Sequence, residues 1–156
     1  MVKLGIISDS HNAQSCVERY LALANRAKYA AVFHLGDGRS DARWLERRLD
    51  MPLIAVAGNC DFYSGCQREA FASYEGHRIL AVHGHLHDVK WGLDQLSYYA
   101  EEHNAGIALY GHTHEANACY VGPVMLFNPG ALMRGCYGEL VLDGKSILPR
   151  LLNLND

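Results

Sequence analysis

Clustered positive charge is scarce in this sequence. No run of Lys or Arg exceeds two residues, and the 156-residue chain carries a formal net charge of −3. A protein that tracks a nucleic-acid backbone needs a basic patch to displace counterions, so no extended nucleic-acid partner is expected. Long apolar runs are missing too. Nothing approaches the roughly 18 residues of a membrane-spanning helix, so no membrane partner is expected. The opening MVKLGIISDS enters a strand-like run without an apolar leader or cleavage site. The five cysteines, at 16, 60, 66, 119 and 136, are odd in number and form no C-x-x-C. That favours free thiols in a reducing compartment over a disulfide framework, and with the missing leader it predicts a cytoplasmic location.

Several catalytic signatures are absent as well. Neither G-x-S-x-G nor H-E-x-x-H occurs, which removes the nucleophilic-serine and single-zinc protease readings. Gly144-Lys145-Ser146 ends like a phosphate-binding loop, but the required earlier glycine is Glu139. Gly36-Asp37-Gly38 begins a dinucleotide fingerprint, and the third glycine position holds Asp41.

What is present is an ordinary globular composition, 49% hydrophobic and 20% charged. A domain of about 150 residues buries roughly 68–70% of its unfolded surface, enough for a core without disulfides, so residues 1–156 are expected to form one domain. Apolar runs at 2–8, 30–35 and 53–57 read as strands. Between them lie a helix over 13–27, with Val17, Tyr20, Leu21 and Ala24 on one face and Asn12 as N-cap, and a short helix over 41–49. This alternation implies parallel strands with right-handed crossovers. Later come strands at 68–75 and 77–82 around Glu75-Gly76, a helix at 92–103 and a strand at 106–110. The tail holds strands at 117–121, 124–128, 136–142 and 146–152, with an Asp143-Gly144 hairpin. The expected fold class is α/β, an α+β-type four-layer sandwich of two stacked mixed β-sheets flanked by helices.

Seven residues of metal-binding type stand at the ends of these runs: Asp9, His11, Asp37, Asn59, His83, His112 and His114. Open α/β sheets bind ligands at strand carboxyl ends, so the metal site is expected there. Asp9 and His11, like His112 and His114, are two apart, and extended geometry would turn both members of each pair to one side. Gly36, Gly58, Gly84 and Gly111 adjoin these residues and permit sharp turns. Two carboxylates, four histidines and one amide carry too little charge for calcium and too much nitrogen for magnesium alone.

Taken in order, D-x-H, G-D, G-N-x-D, H-G-H and G-H-x-H resemble the calcineurin-like metallophosphoesterase family. The small size, the GNCD form and the HGH form are similar to its compact bacterial and archaeal phosphodiesterase branch. The likeness runs from Ile6 to Gly130, with FNPGA at 127–131. It implies two divalent cofactor ions, Mn²⁺ foremost and Fe, Zn, Ni or Co as alternatives. Asp9, His11, Asp37 and His114 would hold the first ion. Asp37, Asn59, His83 and His112 would hold the second, with Asp37 bridging. It further implies hydrolysis of a small phosphate ester, preferably a diester, by in-line attack of a metal-bridging hydroxide. Asp9, Asp37, Asn59, His83 and His112 are then catalytic, with His85 as a candidate proton donor or phosphate contact.

The chain departs from the family where phosphomonoesterases often carry His, for that position is Cys60, a poor proton donor at an ordinary thiol pKa. Cys60 reads equally as a buried apolar filler, and Asp61 as an orienting partner of Asn59 or Cys60. Phe62, Tyr63, His85, Trp91 and Arg39 stand near the motif loops and would line a shallow aryl or nucleoside pocket. Core or dimer interface is the commoner role for such aromatics, and a homo-oligomer fits it. Arg134 reads as solvated, and His34, His77, His87 and His103 match no motif position. The competing functions are a phosphomonoesterase or nucleotidase, and a non-catalytic protein-binding scaffold of the same fold.

Overall fold

A computed structural model describes residues 1–62 and 65–156; Tyr63, one of the expected pocket aromatics, lies outside them. The first half alternates β1 (Val2–Ile7), α1 (Gln14–Ala27), β2 (Ala31–His34), α2 (Arg39–Glu46) and β3 (Leu53–Ala55). β1, β2 and β3 pair in parallel, with Leu4 opposite Ala31 and Val32 opposite Leu53, as helical crossovers require. Then follow β4 (Glu69–Tyr74), β5 (His77–Val82), α3 (Asp94–Glu102), β6 (Ile107–Leu109), β7 (Asn117–Val121), β8 (Val124–Asn128), β9 (Cys136–Asp143) and β10 (Ser146–Asn153). They complete two mixed five-stranded sheets, ordered β10-β9-β1-β2-β3 and β4-β5-β6-β8-β7.

Side-chain alternation decides which layer each residue joins. Leu4, Ile6 and Phe33 turn into the space between the sheets, where they meet Ile79, Leu109 and Phe127. Ile7 and Val32 turn the other way, against Val17 and Tyr20 of α1 and Leu45 of α2. On the far sheet Leu80, Ala108 and Leu126 pack against Leu96 and Ala100 of α3. Strands covered on both faces read as continuous apolar runs, which is why β1, β2 and β6 lack polar alternation. Each fully buried aliphatic contributes about 1.5–3 kcal/mol. The layers are helix, sheet, sheet, helix, as the sequence pattern implied. Among the described residues no helix is long and apolar enough to cross a membrane.

Two local expectations fail. Asn12 is not the N-cap of α1; Ala13 holds that place without a side-chain bond. Asn12 has φ +62°, its N–H donates to Asp41 Oδ2 at 2.9 Å, and its Oδ1 accepts from Ser40 at 2.7 Å. Bonds across to α2 compete with capping and win. In the last hairpin Asp143 pairs opposite Ser146, so the two-residue loop is Gly144-Lys145 rather than Asp143-Gly144.

Candidate metal centre

The seven motif residues all follow strands: Asp9 and His11 after β1, Asp37 after β2, Asn59 after β3, His83 after β5, and His112 and His114 after β6. The extended alternation expected within each pair does not operate. Asp9, His11, Asp37, His112 and His114 have φ of +54°, +44°, +60°, +71° and +62°. The strands have ended before these positions, and left-handed turns swing the side chains together instead. Asp, Asn and His enter this region more readily than most residues, at a cost of order 1–3 kcal/mol each when the surroundings enforce it.

Backbone bonds between the motif loops supply that enforcement. Asp9 N–H donates to Gly36 O at 2.9 Å, His11 N–H to Asp37 O at 3.0 Å, and Gly111 N–H to His83 O at 2.8 Å. Two glycines are needed for space rather than torsion. A Cβ at Gly58 would collide with Asp37 Oδ1, and one at Gly111 with Ser8 Oγ.

The polar atoms converge closely. Asp9 Oδ1 lies 3.2 Å from His114 Nε2, 3.6 Å from His11 Nε2 and 3.9 Å from His83 Nε2. Asp37 Oδ2 lies 3.2 Å from His83 Nε2 and 3.8 Å from His11 Nε2. Asn59 Oδ1 is 3.0 Å from His83 Nε2. Groupings that could hold a metal ion, among the described residues, are Asp9–His11–His114, Asp37–His83–His112 and His11–Asp37–Cys60, each with its potential donor atoms within 4.8 Å of one another. Asp9 and Asp37 are buried, Asn59 is exposed, and His11, His112 and His114 are intermediate.

The electrostatics of this cluster call for a cation. Burial alone would raise the Asp37 carboxyl, but His83, the Cys60 N–H and His11 outweigh it and hold the group well below the usual carboxylate range. Burial would lower His83, and the pull of Asp37 and Asp9 with the Leu35 bond reverses that. His112 is lowered, by burial first and by His83 next. Asp9 Oδ1 and His11 Nε2 are buried without a hydrogen-bond partner, and such orphaned atoms cost about 1–3 kcal/mol each. His83 Nδ1 faces the Leu35 carbonyl at 2.7 Å; donation there fixes the tautomer and leaves Nε2 aimed into the cluster. Mixed imidazole, carboxylate and amide donors with unspent lone pairs fit divalent first-row ions.

Four further residues build the site without matching a motif ligand. Ser8 Oγ donates to Asp9 Oδ2 at 2.6 Å, and His112 N–H donates to the same oxygen at 3.1 Å. His34, fully buried, accepts from Gly36 N–H through Nδ1 at 3.2 Å, so its Nε2 donates to Ser10 Oγ at 2.9 Å. Asn128 donates to Gly111 O and Thr113 Oγ1 at 3.2 and 3.0 Å, holding the loop between the last two histidines. Asp41 takes the Asn12 N–H noted above. A histidine closing an otherwise apolar strand and an asparagine before Pro-Gly were the available sequence signals.

Other expected residues are placed as follows. Asp61 bonds to the backbone around Asp37 rather than to the Asn59 or Cys60 side chains. Cys60 is exposed, which rules out a buried filler; its N–H donates to Asp37 Oδ1 at 2.8 Å, and Asn59 Nδ2 faces its Sγ at 3.6 Å. The His85 ring sits 5.4 Å from His83 and 6.1 Å from His112. Phe62 and Trp91 are 79% and 91% exposed, so neither is core. Arg134 is exposed. His103 and His87 pack against Tyr99, and His77 contacts Gly144 O.

Sheet order and paired clusters of metal-binding residue types at strand ends are the architecture of the metallophosphoesterase fold, and the comparisons agree. Residues 2–140 match the Calcineurin-like phosphoesterase superfamily domain, and the chain belongs to that superfamily. It is 33% identical over 127 residues to the Probable metallophosphoesterase YsnB of Bacillus subtilis (strain 168), covering 81% of this chain and 73% of that protein. A solved predicted phosphoesterase of Streptococcus pneumoniae TIGR4 superposes with TM-score 0.84 at 29% identity, over 99% of this chain and 90% of that one. Two structures share the fold at lower identity. An archaeal phosphodiesterase has TM-score 0.77 at 21%, over 97% and 100% of the chains. Entamoeba histolytica Vps29 complexed with Zn²⁺ has 0.78 at 18%, over 99% and 100%.

Proposed function

We propose that residues 1–156 form one domain acting as a dinuclear metal-dependent phosphodiesterase on small phosphate esters, by in-line attack at phosphorus. The observation that carries this reading is the meeting of Asp9–His11–His114 with Asp37–His83–His112 around two buried carboxylates. Asp9, His11, Asp37 and His114 would hold one ion, and Asp37, Asn59, His83 and His112 the other. Bound divalent ions supply Lewis acidity that neutralises phosphoryl oxygens and activates water near neutral pH.

The chain's own residues set the charge. Asp9 and Asp37 bring two negative charges and Asn59 brings none, which leaves a positive field for a phosphate anion. His85, lowered by burial and then by His83, is neutral near pH 7 and suited to donate a hydrogen bond to a phosphoryl oxygen. Manganese is the proposed metal, with Fe, Zn, Ni and Co compatible with the donors. The five free cysteines support a cytoplasmic setting.

The test is Mn²⁺-dependent hydrolysis of bis(p-nitrophenyl) phosphate by the wild type and by Asp37→Ala. The expected result is turnover in the first and its loss in the second; equal rates overturn the assignment. The fold shared with Vps29 keeps a protein-binding scaffold as second reading. Two ions bound per chain after manganese incubation favour the enzyme, and fewer than about one favours the scaffold, because a two-metal mechanism needs both.

A further inference from the structure

A groove of about 660 Å³ opens beside the metal cluster, starting at His11 and Asp37 and walled by Arg39, Arg43 and Arg47. The three arginines repeat every four residues along α2 and just past its end, which stacks them in one stripe. The carboxylates that line the groove are turned to other tasks. Asp61 receives four backbone N–H groups, and Asp37 faces Cys60 N–H and His83. Glu46 does not line this groove; with Arg39 it borders a neighbouring hollow beside Leu53–Ala55. Arg39 Nε is buried and makes no hydrogen bond. Phe62, 79% exposed, lines the same groove and offers a flat ring.

We infer that this groove binds a second phosphate group of the substrate, so that the enzyme prefers small phosphodiesters carrying a further phosphate one nucleoside away. A short 5′-phosphorylated dinucleotide has this chemistry. The guanidinium fork matches phosphate oxygens in pairs, an aromatic ring stacks on a nucleobase of any identity, and the net charge of −3 disfavours a long polyanion. The inference rests on the phosphodiesterase reading for the neighbouring centre, since the groove shares His11 and Asp37 with it.

Equilibrium binding to the manganese-incubated full chain tests it without turnover. Thymidine 3′,5′-bisphosphate is compared with thymidine 5′-monophosphate, on wild type and on the Arg43→Gln/Arg47→Gln double variant. Wild type is expected to prefer the bisphosphate by about tenfold or more, the scale of one charge-assisted contact. The double variant is expected to lose most of that preference. Equal binding of the two ligands by wild type overturns the inference, as does a preference that survives in the variant. If the double variant melts early, Arg47→Gln alone and a salt series on wild type replace it, because rising ionic strength must erode a real preference. Hydrolysis of bis(p-nitrophenyl) phosphate is measured in parallel. Preference without turnover overturns the phosphodiesterase reading alone, and turnover without preference overturns the groove alone.

Discussion

Asp61 holds Asp37 by its backbone: Asp61 Oδ2 accepts the Asp37 N–H at 2.8 Å. The same carboxylate accepts Gly58 N–H at 2.7 Å, and Gly38 and Arg39 N–H at 3.1 Å each. One side chain from the third motif thus ties the loop after β2 to the loop after β3, the two loops that carry Asp37 and Asn59. Asp61→Ala leaves four amides without their acceptor, at about 1–3 kcal/mol for each that water cannot reach. The expected outcome is a lowered melting temperature and a 10–100-fold loss of manganese affinity. Calorimetric titration of the variant checks it, and unchanged affinity would show that the clamp does not position the ligands.

That relationship also marks how far the sequence could be read. Strand ends, parallel pairing and the Glu75-Gly76 hairpin, with Tyr74 opposite His77, follow from local pattern and turn chemistry. The seven polar residues announced themselves by standing after apolar runs. The turns that unite them did not, because the left-handed backbone at Asp9, His11 and His112 is imposed by bonds between loops far apart in sequence. Asn12 fits a cap by local pattern and does not serve as one for the same reason: its partners, Ser40 and Asp41, are nearly thirty residues away. His34 looked idle because nothing local reveals that it braces Ser10.

A glycine pair separates close packing from simple flexibility. A Cβ at Gly58 would sit 2.6 Å from Asp37 N and 2.7 Å from Asp37 Cγ, whereas one at Gly106 meets nothing within 4 Å. Gly58→Ala is expected to cost about 1–3 kcal/mol through forced displacement and to depress manganese binding. Gly106→Ala is expected to stay within about 0.5 kcal/mol of wild type. Urea unfolding of the two variants decides; equal stabilities would mean the Asp37 loop yields without cost.

Alkaline pH should destabilise the fold through its buried tyrosines. Tyr29 donates to Glu139 Oε2 at 2.6 Å. Its ionisation is pushed far above the ordinary range by burial first and by Tyr20 and Glu139 next, and that of Tyr20 by burial and Glu139. The folded state therefore keeps these protons after the unfolded chain, with a tyrosine pKa near 10, has lost them. Their contribution is complete below about pH 10 and falls as pH rises beyond it. Tyr29→Phe should be less stable at pH 7 by about 1–3 kcal/mol, because Glu139 loses a donor, yet show a shallower decline above pH 10. Denaturant unfolding from pH 7 to 11 tests this, and parallel profiles for variant and wild type would refute it.

Cys60 offers a direct probe of which ester is cut. Burial and then the Asp37 charge push its thiol pKa up, so it stays a neutral thiol near pH 7 and gives a leaving alkoxide little help. Its backbone N–H, not its side chain, anchors Asp37 Oδ1 at 2.8 Å, so replacing the exposed side chain preserves that bond. An imidazole titrates near pH 6.5 and can protonate a leaving group. Cys60→His is expected to raise the monoester-to-diester rate ratio by about tenfold or more, at the low end of general-acid effects. The gain should fade as pH rises through the imidazole pKa and the proton is lost. Steady-state rates on p-nitrophenyl phosphate and bis(p-nitrophenyl) phosphate are not equally demanding, so an alkyl monoester belongs beside them, where a poor leaving group needs the proton most. A ratio unmoved on the alkyl ester would mean that leaving-group protonation does not set the choice of substrate.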